Sequence, residues 1–269
     1  MNFFKNKYIG YLVWRFILKN PRLRLTLQGW LYPHRTEFAQ ILGAGIFIDT
    51  QKELGYYRAA RIVRSNIVTW QEAPKLLALM TQIRAGTTFV DCGANVGLWS
   101  AQVGRMSTIV PDLQVLAFEA NPDTFVRLQR TCEALPGVRC FNVALSDAPR
   151  TLDMVGGAAS GVFGIHQSEF QIAGAVQKIQ AQPLDDFLGE DLSDLVLKVD
   201  VEGHELEVVK GAAKALARGA VRAILIDGIL ESSRTELLAL LTGHGFRLYD
   251  CDSLAPHVGD GDRVLAIRG

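Results

Sequence analysis

The amino-acid sequence predicts an α/β fold: a doubly wound, mostly parallel seven-stranded sheet with an antiparallel hairpin at its C-terminal edge, preceded by a helical or irregular extension. Three observations lead there. From residue 87 onward, short apolar runs alternate with stretches of helical spacing, the pattern of a parallel sheet covered by helices on both faces. The last two apolar runs, 246–251 and 263–267, have no helix between them and are expected to pair antiparallel. A chain of 269 residues with a hydrophobic fraction of 49% also has a core for one large α/β unit or two smaller domains, which excludes a disordered chain.

Residues 40–68 read as irregular, with short strands at 46–49 and 62–68. Leu76, Leu77, Met80 and Ile83 share a helical face, so 73–84 is expected to be a helix, ended by Gly86. Strands are then expected at 87–91, 114–119, 138–143, 195–200 and 221–227, with helices at 96–106, 123–135, 206–218 and 232–243. No helix follows the third strand. Instead 151–155 and 176–181 read as an inserted hairpin around a glycine-rich stretch at 156–164. The expected organisation is an extension over 1–69 and a domain over 70–269 carrying the insertion at about 150–182.

Basic and acidic residues number 28 each, so no net field draws the chain to nucleic acid. Their distribution is uneven. Lys5, Lys7, Arg15, Lys19, Arg22, Arg24 and Arg35 all precede the first acid, Glu37, leaving 21 basic against 28 acidic residues beyond Thr36. Phe3, Phe4, Tyr8, Tyr11, Trp14, Phe16, Trp30 and Tyr32 run through the same segment. Its apolar run is interrupted by Arg15, falls short of the roughly 20 residues of a membrane span, and is followed by no small-residue cleavage pattern. Two readings of residues 1–36 stay open: a helix packed on the domain, and a segment lying on an anionic membrane surface. Cys92, Cys132, Cys140 and Cys251 form no C-x-x-C pair and fit a reducing compartment. The expected location is cytoplasmic and, under the second reading of residues 1–36, peripheral at the inner face of the membrane.

The first strand of the alternation runs into Asp91-Cys92-Gly93-Ala94-Asn95-Val96-Gly97 and then a helix. Glycine permits the tight turn and lets a ligand approach the helix N-terminus. A dinucleotide fingerprint needs a third glycine, and only Gly93 and Gly97 are present. Asp91 at the strand tip would repel a pyrophosphate. Glu119, ending the second strand, is placed to bond both ribose hydroxyls of an adenosine. Together these acids favour a nucleoside with positive charge near its ribose and no diphosphate, which is the chemistry of S-adenosylmethionine.

At this point the sequence resembles the FkbM family of S-adenosylmethionine-dependent methyltransferases, within the Rossmann-like class I group. The resemblance is carried by Phe89-Val90-Asp91-Cys92-Gly93-Ala94-Asn95-Val96-Gly97, Ala117-Phe118-Glu119-Ala120-Asn121-Pro122 and Asn142-Val143-Ala144-Leu145-Ser146-Asp147. Pro183-Leu184-Asp185-Asp186 and Leu197-Lys198-Val199-Asp200-Val201-Glu202-Gly203-His204-Glu205 complete it, over about residues 70–227. It implies that Asp91, Gly93, Asn95 and Gly97 hold the methionine part of the cofactor, Glu119 the ribose, and Asn121 with Ala144 the adenine. Glu72 would reach the cofactor's amino group. The resemblance also implies a hydroxyl of a carbohydrate or related polar metabolite as the methyl acceptor. Where family members commonly show Glu at the tip of the fifth strand, this chain has Asp227.

Lys198 and Asp200 are two apart on the fourth strand and project from one face. An isolated buried ammonium is costly, so Asp200 or Glu202 is the expected partner. Methyl transfer to a hydroxyl needs an aligned oxygen and a base for its proton. Lys198, Asp200, Glu202 and His204 are the expected catalytic set, with Lys198 orienting a carboxylate and the base left open among the other three. Asp200, Glu202 and Asp227 offer oxygen ligands, yet nothing in their spacing demands a metal, and none is expected. His34, His166, His244 and His257 show no ligand spacing, and Ser160 lacks a hydrolase context. Two other classes remain: a nicotinamide-dependent oxidoreductase, which the missing glycine disfavours, and a non-catalytic protein docked through its basic segment.

Overall fold

The structure, a computed structural model, describes residues 34–61, 67–156, 163–164, 176–257, 259 and 261–269. The basic segment up to residue 33, most of the strand expected at 62–68, His166 and most of the glycine-rich stretch lie outside the described residues.

The described chain opens with an antiparallel pair, β1 (Thr36–Ile41) and β2 (Ala44–Asp49), followed by α1 (Leu54–Arg61) and α2 (Ile67–Met80). The described residues among 40–68 are therefore mostly regular, and Ile67 and Val68 open a helix where a strand was expected. Next come β3 (Thr88–Cys92), α3 (Leu98–Met106), β4 (Gln114–Phe118), α4 (Pro122–Cys132) and β5 (Val138–Phe141). The insertion contains β6 (Ala144–Leu145), β7 (Arg150–Gly156), β8 (Phe163–Gly164) and β9 (Val176–Gln182). After it the alternation resumes with β10 (Leu195–Val199), α5 (Glu205–Lys210), α6 (Ala213–Ala217), β11 (Val221–Asp227), α7 (Glu231–Gly243), β12 (Phe246–Asp250) and β13 (Arg263–Arg268).

Seven strands form the main sheet in the order β12-β13-β11-β10-β3-β4-β5, and only β13 runs against its neighbours. The expected class holds, with one refinement: β13 inserts between β11 and β12. Alternate residues of each central strand feed opposite cores. Val90, Leu116, Leu197 and Ile224 belong to one, Phe89, Val115, Val196 and Leu225 to the other. The second core also takes Ile46 and Ile48 from β2 and Leu79 from α2, so the first hairpin and helices share a core with that sheet face.

Three elements end differently from the periodicity. The third strand stops at Phe141, because Asn142 turns its side-chain amide to the carbonyls of Glu119 and Ala120. Ala144 then pairs with Ala181 in a separate four-stranded sheet, β6-β9-β7-β8, that extends the expected hairpin. The helix expected at 206–218 is broken at Gly211, where a Cβ would stand 2.1 Å from the Ser146 carbonyl oxygen. Asp185 caps the second half, accepting from the Lys214 and Ala215 amides at 2.7 and 3.0 Å.

Chain order reverses between β3 and β10: β4 and β5 are added on one side, β11 on the other. The carboxyl ends of the strands at such a switch point open a crevice for ligands.

Candidate active site

The crevice is lined by the loops after β3, β4 and β10, by α1 and α2 above them, and by the insertion. Gly93 has φ +78°, and a Cβ there would meet the Asp200 backbone oxygen at 2.0 Å, so the close approach of the two central loops requires glycine. Lys198 spans the same gap. Its Nζ donates to the Gly93 carbonyl at 2.7 Å and lies 3.3 Å from Asp91 Oδ1, an ion pair without hydrogen-bond alignment, and 3.4 Å from Asp200 Oδ2. Burial alone would lower the Lys198 ammonium's pKa, but Asp91 and Asp200 hold it above the ordinary lysine range. Lys198 stays charged and ties β10 to the β3 turn.

Glu119 sits where β4 ends. Its two carboxylate oxygens accept from the Asn95 and Asn121 amides at 2.9 and 2.8 Å. Burial pushes its pKa up to about 7 against those amides. Beside it, Phe118, Ala120, Val143, Ala144 and, from the insertion, Met154 and Ile179 make an apolar wall. Tyr56, Glu72, Trp99, Lys198, Asp200 and Glu202 form the charged end, and His204 lines the crevice beside Leu145 and Ser146. Glu72 accepts from Trp99 Nε1 at 2.8 Å and from the buried Lys75 ammonium at 3.1 Å. Lys75 also pairs with Asp227, which Arg263 holds from its other side at 3.0 Å.

Glu202 lies on a turn held by a neighbour. It has φ +55°, unusual for a residue with a side chain. Glu205 Oε1 clamps the turn, accepting from the Gly203 amide at 2.9 Å and the Val201 amide at 3.3 Å. The Glu202 carboxylate makes no hydrogen bond or ion pair to another described residue, and burial, then Asp200, pushes its pKa to about 7. His204 is less available, with Nε2 3.0 Å from Ser146 Oγ and Nδ1 3.4 Å from Glu207 Oε2.

Of the expected site residues, Glu72, Gly93, Asn95, Glu119, Ala144, Lys198, Asp200, Glu202 and His204 meet at the crevice. Three do not. Asp91 is wholly buried beneath it, bonded to Ser100 Oγ at 2.6 Å and paired with Lys198. Gly97 faces Leu128 and Thr131 and serves helix packing. Asn121 spends its side chain capping α4, accepting from the Asp123 and Thr124 amides. Asp227 is an anchor for Lys75 and Arg263, and among the described residues no cluster of His, Cys, Asp and Glu is placed to hold a metal. Tyr56, Met154 and Ile179 are lining residues that the sequence did not single out.

The residues present fit S-adenosylmethionine at three points. A carboxylate faces the ribose position beside an apolar wall for the base. The acid-rich end suits a sulfonium and an ammonium. Asn95 Oδ1 is a buried acceptor without a partner among the described residues, open to a ligand N–H.

The chain is 29% identical to the hexuronic acid methyltransferase AglP of Haloferax volcanii, over 61% of this chain and 68% of that one. It is 30% identical to methyltransferase sdnD of Sordaria araneosa, over 58% of this chain and 72% of the relative. Among solved structures it is similar to precorrin-6y C5,15-methyltransferase of Geobacter metallireducens, at 13% identity and a TM-score of 0.40, covering 73% of this chain and 87% of that one. The model of the methyltransferase FkbM domain matches residues 91–248, more than half of the sequence, and the chain belongs to this family of S-adenosylmethionine-dependent methyltransferases.

Proposed function

We propose that the protein moves the methyl group of S-adenosylmethionine to a hydroxyl of a carbohydrate or related polar metabolite, with Glu202 as the general base. The observation that carries the reading is the Glu202 carboxylate, held on a strained turn at the charged end of the crevice with no other described residue bonded to it. The name of the Haloferax relative, a hexuronic acid methyltransferase, supports a sugar acceptor. The family assignment leaves the oxidoreductase and non-catalytic alternatives without support.

When bound, the donor supplies a methyl carbon made electrophilic by its sulfonium. The chain's residues do the rest. Glu119 orients the ribose, and Glu72 and Asn95 receive the amino-acid end. Lys198 fixes Asp200 and the Gly93 turn. The acceptor oxygen forms its bond to carbon as the carbon–sulfur bond breaks and that electron pair passes to sulfur. The hydroxyl proton goes to Glu202, which later releases it to water.

The test is transfer of labelled methyl to purified glycans and polar metabolites. An ether on a hydroxyl survives mild alkali, and an ester on a uronate carboxyl does not, so alkali-stable label is the expected result. Alkali-labile label would assign a carboxyl acceptor and overturn the reading. Calorimetric titration addresses the donor separately. Glu119→Gln keeps the shape but gives up hydrogen bonds to a charged group, each worth about 1.5–3 kcal/mol, so S-adenosylhomocysteine affinity is expected to fall roughly 10- to 100-fold. An unchanged affinity would move the nucleoside away from Glu119.

A further inference from the structure

Residues 1–36 carry seven cations, no acid and eight aromatic side chains. The structure places the point where this segment joins the fold. β1 starts at Thr36, paired with Asp49 at the far end of β2, and His34 Nδ1 lies 3.2 Å from Asp49 Oδ1. Three residues on, Lys52 Nζ reaches Asp123 Oδ2 at 3.1 Å in the first turn of α4. One helical turn later Tyr56 lines the crevice. At the opposite end of the hairpin, the Leu42 and Gly43 carbonyls are held by Gln102 and Arg105, from the last turns of α3. The basic segment therefore enters at the carboxyl-end edge of the parallel strands, the edge that carries the crevice. Two residues past its end, Phe38 is 59% exposed.

We propose that residues 1–36 dock the protein on an anionic lipid surface with the crevice edge turned toward the bilayer, so that its acceptor is carried at the membrane. Cations interleaved with aromatic rings suit the lipid–water interface, where the charges meet headgroups and the rings sit at their level. A nucleic-acid partner fits less well. A nucleic acid is tracked along its phosphates by a basic face continued over the folded domain, and beyond Thr36 the chain holds 21 basic against 28 acidic residues, whereas a bilayer needs only the segment itself to reach it. The apolar run within residues 1–36 is interrupted by Arg15 and falls short of the roughly 20 residues of a span, so the contact proposed is peripheral; among the described residues, too, no helix is long and apolar enough to cross a membrane.

Flotation of the full chain with phosphatidylglycerol-containing vesicles, against pure phosphatidylcholine vesicles, tests the proposal. Binding to the anionic vesicles alone is expected, and it should weaken with salt. Replacing Lys5, Lys7, Arg15 and Lys19 together by Gln should weaken it roughly 100-fold or more, at about fivefold per cation near the surface. Hydrogen exchange reads the orientation in the native chain: vesicles should protect the amides of residues 1–56 and leave 107–113, at the opposite edge, unchanged. Absence of flotation, binding indifferent to the four substitutions, protection confined to 107–113, or displacement from vesicles by polyuridylate would each overturn it. Vesicle binding requires no methyl donor, so its failure and a failure of the methyltransferase reading are separate results; only the membrane-borne acceptor rests on that reading.

Discussion

Glu202→Gln is expected to lower kcat by roughly 10²- to 10³-fold while S-adenosylhomocysteine binds as before, because a positioned base contributes on that order and the donor is held by other residues. The choice of Glu202 over its neighbours follows from what each group already touches. Asp200 is engaged by Lys198, and His204 is wedged between Ser146 and Glu207. Glu202 alone of the three carries no such bond. Its pKa of about 7, set by burial and then by Asp200, places the acidic limb of the pH–rate profile near neutrality. A base works when deprotonated, so kcat/KM should rise about tenfold per pH unit below that value and level off above it. The limb should vanish in Glu202→Gln and persist in His204→Ala. A limb that survives in Glu202→Gln would hand the proton to another group.

The sequence reached the sheet and the frame of the crevice because both rest on local signals. Strand, glycine turn and helix lie within a dozen residues around Gly93, and Glu119 and Asp200 announce themselves as acids ending apolar runs. Asp91 and Asn121 sit at equally suggestive strand ends, yet their side chains turn to Ser100 and Lys198 and to the α4 amides. Motif position reports where a residue's backbone lies, and a competing partner decides where its side chain goes. Tyr56, Met154 and Ile179 reach the crevice from an early helix and an inserted sheet, outside the strand-end motifs that supply most of its lining. Only tertiary packing brings them there. Lys75 was also invisible as a functional element: inside an apolar helical pattern, nothing local shows that it bridges Glu72 to Asp227, 152 residues away.

Lys198→Met is expected to cost about 3–5 kcal/mol of folding stability, read as a lower urea midpoint, because it leaves the fully buried Asp91 carboxylate with only the Ser100 hydroxyl and frees the Gly93 carbonyl. Against a typical domain stability of about 5–15 kcal/mol that is a large share, and methyl transfer should fall with it as the Gly93 turn loosens. Adding Asp91→Asn removes the stranded charge, so the double variant should regain a substantial part of the loss at neutral pH while staying inactive. If the double variant is less stable than Lys198→Met alone, the ammonium's role is packing rather than charge, and Lys198 is no longer the tie between the two central strands.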